Sequence, residues 1–199
     1  DIKSVDQTLR IIEQWNAYKY CRPIQVNIPE VKTMSGGGVL GGKKVLLEPF
    51  IENWQKWNSN TGWEQGSSGW NEVMQALSHF SYHMSSGQTM LCDLQGGPTA
   101  SGAVISDPVI MSARQSFGVT DLGPKGIRNF FARHRCNQFC KSSWTKPRDA
   151  KVFYAAVESS TMEERRTAEP SIGRIGFVGL ATLASVADSE DEYYSDEYY

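Results

Sequence analysis

Apolar residues recur along the chain with two periods, and each period predicts an element. Between Val5 and Tyr18 the positions Val5, Leu9, Ile12 and Trp15 fall close to the spacing that buries one helix face, with Asp6 and Glu13 directed outward. Trp70 to Tyr82 suits a second helix, and Gly126 to Arg133 an amphipathic third. Alternation over Ile24-Gln25-Val26-Asn27-Ile28 reads as a strand, and Lys44-Val45-Leu46-Leu47-Glu48 as another that Pro49 stops. Thr89 to Leu94 forms a short apolar strand with a carboxylate, Asp93, at its end. Met34 to Gly42 is a glycine-rich loop, and Gly96-Gly97-Pro98 predicts a turn. Nothing repeats internally. The end of the chain, Glu190 to Tyr199, is low-complexity and reads as disordered.

Composition narrows the class. A chain of 199 residues supports one domain of about 150 residues, large enough to bury a core without disulfides, plus a tail. Its four cysteines leave no paired framework for an oxidising compartment, so a cytoplasmic or nuclear setting is expected. The longest apolar run, Ile175 to Ala187, is too short and glycine-interrupted to span a bilayer. The chain begins Asp1-Ile2-Lys3 without an initiator methionine, which reads as a fragment. Net charge is -2, but six acidic residues lie in Asp188 to Tyr199, leaving 20 basic against 16 acidic residues in the rest. Eight Lys or Arg and one Asp between Arg114 and Arg148 suggest an anion-facing surface or, equally, a solvated face; no base-reading motif supports nucleic acid.

Chemistry concentrates in four places. His134-Arg135-Cys136-Asn137-Gln138-Phe139-Cys140 puts an imidazole and two thiols within seven residues, donors that suit zinc, while buried free cysteines and a helix-capping histidine are the plainer explanation. Cys136 and Cys140 share a face if the helix continues through them, and the fourth ligand is His79 or His83. Asp93 and Gln95, followed by Asp107 before Pro108, offer two carboxylates and an amide oxygen to a hard cation such as Mg²⁺. Lys56, Asn58 and Asn60 alternate, pointing to one side if extended, toward a nucleotide or metal. Gly118 to Gly126 opens the third helix, where glycines let an anion approach the backbone. Asx turns and loop punctuation compete with these last three.

Taken together and in order, these segments resemble the alpha-kinase family of atypical protein kinases. The resemblance rests on seven motifs: Leu47-Glu48-Pro49-Phe50-Ile51-Glu52, Lys56 to Trp63, Ser78-His79-Phe80, Asp93-Leu94-Gln95-Gly96, Ser106-Asp107-Pro108, Asp121 to Ile127, and His134 to Cys140. It implies an α+β, two-lobed protein-kinase-like fold over residues 1–147, with 1–48 from the smaller lobe, 49–147 the larger, and 148–199 an extension. It also implies a serine/threonine protein kinase using ATP and Mg²⁺ on a protein substrate, with no membrane partner. By matching, Asp93 is the catalytic acid with Asp107 beside the phosphates. Glu48 meets adenine at the hinge, Gln95 holds Mg²⁺, and Lys56, Asn58 and Asn60 line the nucleotide cleft. His79, His134, Cys136 and Cys140 bind a structural Zn²⁺. The alternative is a non-catalytic, zinc-braced binding module. The chain departs from the family pattern after Glu52, at Thr120-Asp121 where glycine and asparagine are common, and in the phosphate-contacting lysine, which would fall before Asp1.

Overall fold

A computed structural model describes residues 2–67 and 69–163. Three helices and eight short strands follow in the order α1 (Ile2–Ala17), β1 (Ile24–Val26), β2 (Glu30–Thr33), β3 (Lys44–Leu47), β4 (Gln55–Lys56), α2 (Trp70–Met84), β5 (Thr89–Cys92), β6 (Gln95–Pro98), β7 (Ala103–Ser106), β8 (Val109–Ser112) and α3 (Gly123–Arg133). A four-stranded sheet runs β1-β7-β6-β4, parallel only between β1 and β7; β2–β3 and β5–β8 are separate antiparallel ribbons.

The β5–β8 ribbon divides the core through its two-residue period. On one side Leu91 and Ile110 join Ile11, Ile12, Trp15, Trp57, Leu77, Phe80 and Trp144; on the other Met90, Cys92, Val109 and Met111 meet Leu122, Ile127, Phe130 and Phe131. The first cluster is rich in aromatic edges: Trp15 lies 5.2 Å from Phe80, and Phe80 5.5 Å from Trp144, between ring centroids. Trp144 therefore belongs to the core although its flanking residues carry no periodic signal.

Three sequence expectations change. The buried stripe of α1 is Thr8, Ile11, Ile12 and Trp15, the i, i+3, i+4, i+7 set, whereas Leu9 is 37% exposed; counting from Leu9 turns the stripe by one residue. Gly96-Gly97-Pro98 is not a turn but most of β6. A Cβ on Gly96, whose φ is 146°, would strike the Val104 carbonyl, and one on Gly97 the Glu52 carbonyl, so these glycines admit neighbouring backbone inside a sheet. Third, the helix ends at Arg133, and His134 turns away at φ -59°, ψ 124°, so Cys136 and Cys140 do not share a helix face. The Asn137–Cys140 turn, closed by the Cys140 amide on the Asn137 carbonyl at 3.0 Å, brings them together instead. The acidic tyrosine-rich tail lies outside the described residues.

Candidate active site and metal centre

The candidate active site grows out of sheet register. Lys56 on β4 pairs with Gln95 on β6, and Gln95 with Ser106 on β7, so three polar side chains share one face in a row. Asp93 and Asp107 flank that row just outside β5 and β7. Both take positive φ, 59° and 45°, which ends the strand and swings the carboxylate out of the pleat.

Asp93 is 1% exposed, and its carboxylate is held by three donors. Oδ1 accepts from the Lys56 ammonium at 2.9 Å and from the Asn60 amide at 3.2 Å; Oδ2 accepts the Ser160 hydroxyl. The Lys56 ammonium also reaches Ser160 Oγ at 3.3 Å. With side chains 6% and 1% exposed, Lys56 and Asp93 form a buried pair in which each charge satisfies the other. Ser106 donates to Glu48 Oε2 at 2.7 Å, bringing the end of β3 against β7. The Asp107 carboxyl sits above the usual carboxylate range, first through partial loss of water and then through the negative charges of Asp93 and Glu48, with Lys56 opposing. Asp93, Asp107 and Glu48 thus share one electrostatic neighbourhood.

Lys56, Asn58 and Asn60 do not project together. The strand is only two residues long, and the chain turns after it. The Asn58 amide donates to Ser78 Oγ at 3.1 Å and accepts from the Leu94 amide at 2.9 Å, fixing the backbone beside Asp93 from behind. Asn60 donates to the carbonyls of Thr120 and Thr161 at 2.9 and 2.7 Å and accepts the Thr161 amide at 2.9 Å. Nor is the loop before α3 a free anion cradle. Asp121 accepts from the Ser112 amide and hydroxyl and from the Phe117 and Gly123 amides, within 2.7 to 3.2 Å, so its carboxylate braces the helix entrance. Of the basic residues, Arg128 pairs with Asp149 at 2.8 Å and Arg133 donates to the Tyr154 carbonyl at 2.6 Å.

A groove of about 1030 Å³ is lined by α1, β1, Val104 and the Pro49–Asn53 segment that follows Glu48. Gln25 and Val104 on its floor lie two residues along the strands from the Gln95–Ser106 row, hence on the same sheet face.

One contributor escapes sequence reasoning. Residues 153–163 run over the site without secondary structure. Asn129 accepts the Phe153 and Tyr154 amides at 2.7 and 2.9 Å, Thr61 exchanges bonds with Val157 at 3.1 Å in both directions, and the Glu163 amide donates to the Val119 carbonyl at 2.8 Å. Apart from the Val119 carbonyl, these partners are side-chain amides and hydroxyls, so the segment leaves no hydrophobic period in the sequence.

The second cluster is a compact donor set. One ligand atom from each of His79, His134, Cys136 and Cys140 lies within 4.8 Å of the others. Cys136 Sγ is 3.5 Å from His79 Nδ1, and Cys140 Sγ 3.7 Å from His134 Nε2. Bond lengths of about 2.0 Å to nitrogen and 2.3 Å to sulfur in a tetrahedron imply ligand separations of roughly 3.3–3.8 Å, the range in which both of these sulfur–nitrogen distances fall, and two imidazoles with two thiols are a donor set that suits zinc. His79 Nε2 lies 3.2 Å from the Thr145 carbonyl, a contact that leaves Nδ1 for metal. Burial lowers His79 to about 4 and His134 to about 3, which keeps both rings neutral as ligands require. His83 instead exchanges contacts with Thr145 at 3.2 Å and is no member of the set.

The fold matches that of a solved kinase domain. The alpha-kinase domain of myosin heavy chain kinase A, crystallised with AMP, superposes with a TM-score of 0.56 at 27% identity, over 70% of this chain and 57% of that one. A sequence model of the alpha-kinase family matches residues 1–140, and the chain belongs to that family. Alpha-protein kinase vwkA of Dictyostelium discoideum is 40% identical over 97 residues, 48% of this chain and 15% of the relative. Eukaryotic elongation factor 2 kinase of Rattus norvegicus is 32% identical over 139 residues, 69% and 18%. The chain thus spans less than a fifth of either relative's length. Among the described residues no helix is long and apolar enough to cross a membrane.

Proposed function

We propose that this chain transfers the γ-phosphate of Mg-ATP to serine or threonine hydroxyls of a protein. The observation that carries the reading is Asp93: a buried carboxylate at a strand end, oriented by Lys56 and the Asn60 amide, with its second oxygen receiving a hydroxyl. Phosphoryl transfer asks a protein chiefly for positioning and charge neutralisation, and an acceptor hydroxyl needs a proton acceptor within hydrogen-bond reach. In this reading Asp93 takes the hydroxyl proton. Gln95, in the row of polar side chains, and Asp107, which feels the charge of Asp93, would hold Mg²⁺, which would supply charge neutralisation at the phosphates. The raised Asp107 carboxyl fits a place where carboxylates crowd until a cation enters. Glu48 and the groove beside Pro49–Ile51 would receive the adenine end, Lys56 and Asn60 the phosphate end, and Asn58 the backbone that positions Asp93.

Zinc at His79, His134, Cys136 and Cys140 braces the larger lobe in this reading. The ligands join α2 to the chain after α3, which Asn137 and Gln138 also tie to Glu72 of α2 at 2.8 and 3.0 Å. The test of function is transfer of labelled γ-phosphate from Mg-ATP to a basic Ser/Thr protein. Transfer to hydroxyl residues supports the proposal, and a folded, zinc-loaded chain that transfers none overturns it in favour of a binding module.

A further inference from the structure

We propose that residues 157–163 are an intramolecular acceptor segment and that Ser160 is phosphorylated in cis. The inference rests on the kinase reading of Asp93 and goes beyond it by naming an acceptor. Ser160 Oγ donates to Asp93 Oδ2 and accepts from the Lys56 ammonium at 3.3 Å, the position an acceptor hydroxyl must take beside its proton acceptor. The neighbouring Thr161 is gripped by its backbone: its amide and carbonyl both bond the Asn60 side chain, at 2.9 and 2.7 Å. Val157 is bound the same way, its amide and carbonyl on Thr61 Oγ1. Two residues flanking a hydroxyl, each held through its own N–H and C=O, are how a cleft holds a peptide irrespective of its side chains. Glu163 closes the run, its carboxylate accepting the Tyr154 hydroxyl at 2.8 Å. Ser159, one residue earlier, is exposed.

The step balances without a further reagent. Ser160 Oγ forms a bond to the γ-phosphorus of ATP while the bond from that phosphorus to the β,γ-bridging oxygen breaks; the hydroxyl proton passes to Asp93, and ADP leaves with Mg²⁺. The product places about two negative charges against the Asp93 carboxylate, which drives the segment out and opens the site to a protein substrate.

The experiment is incubation of the full chain with Mg-ATP and a basic Ser/Thr protein, with the modified residues located by tandem mass spectrometry. Phosphate on Ser160, at an initial rate per molecule unchanged over about a hundredfold dilution of the chain, is expected, because the acceptor is tethered at a fixed effective concentration. Ser160→Ala should remove that phosphate, Ser160→Thr should restore it at residue 160, and Ser159→Ala should leave it unchanged. Labelling of the basic protein without labelling of Ser160 overturns this inference and leaves the kinase reading standing. So does labelling of Ser160 whose rate per molecule scales with chain concentration. Transfer to neither acceptor overturns the kinase reading and this inference with it.

Discussion

Lys56 and Asp93 hold opposite charges out of water, and neither can lose its partner cheaply. Lys56→Ala leaves the Asp93 carboxylate buried without its cation, so stability should fall by about 3–5 kcal/mol in chemical denaturation; a change within experimental error would mean water reaches the pair. Asp93→Asn keeps an oxygen for Lys56 and Asn60 but cannot take a proton, so transfer should fall by at least about 100-fold while the fold persists. Asp93 was legible in sequence because a carboxylate ended an apolar strand before glycines. The convergence of Lys56 on it was not, since alternation predicted three side chains facing one way and the chain turns after Lys56. Ser160 left no trace, because its segment is held by side-chain amides rather than by a buried apolar face.

At the scale of elements, the His134–Cys140 hook and the β6 strand make opposite demands. The hook needs its ligands: Cys136→Ser or Cys140→Ser should release zinc and lower the melting temperature, measured by metal content and thermal unfolding together, because structural zinc contributes folding energy directly. Unchanged metal and melting in both variants would remove the zinc assignment. Strand β6 needs bare backbone instead. Gly96→Ala places a methyl against the Val104 carbonyl at a φ of 146° and should destabilise by about 1–3 kcal/mol, more than an exposed Gly→Ala change can recover. Helices were readable because each carries a stripe over three or more turns. β4 and β6 were not, since two residues, or four that include two glycines and a proline, carry no alternation, and their place is fixed by register with β7.

For the whole molecule, the sequence-based resemblance anticipated the fold class, and the structure adds how the parts share a core. α1 and β1, assigned from sequence to the smaller lobe, bury Ile11, Ile12, Trp15 and Ile24 in the cluster that also holds Leu77, Phe80 and Trp144. In the metal-free chain, acid should act through His79 and His134, whose rings border this cluster. Burial holds His79 at about 4 and His134 at about 3, below the usual histidine value near 6.5, so between those limits the unfolded chain binds more protons than the folded one. Their contribution to stability is full above about pH 6.5 and is lost as the pH falls toward 4 and 3. Melting temperature should therefore drop across that window, and a flat profile would show that the two rings are not buried as neutral groups. The central claim is that Asp93 serves phosphoryl transfer, and its most direct test is labelled γ-phosphate transfer from Mg-ATP by the zinc-loaded chain beside its Asp93→Asn variant. The account predicts phosphate on serine or threonine hydroxyls from the unaltered chain and almost none from the variant; equal transfer by both, or none by either while both remain folded, would contradict it.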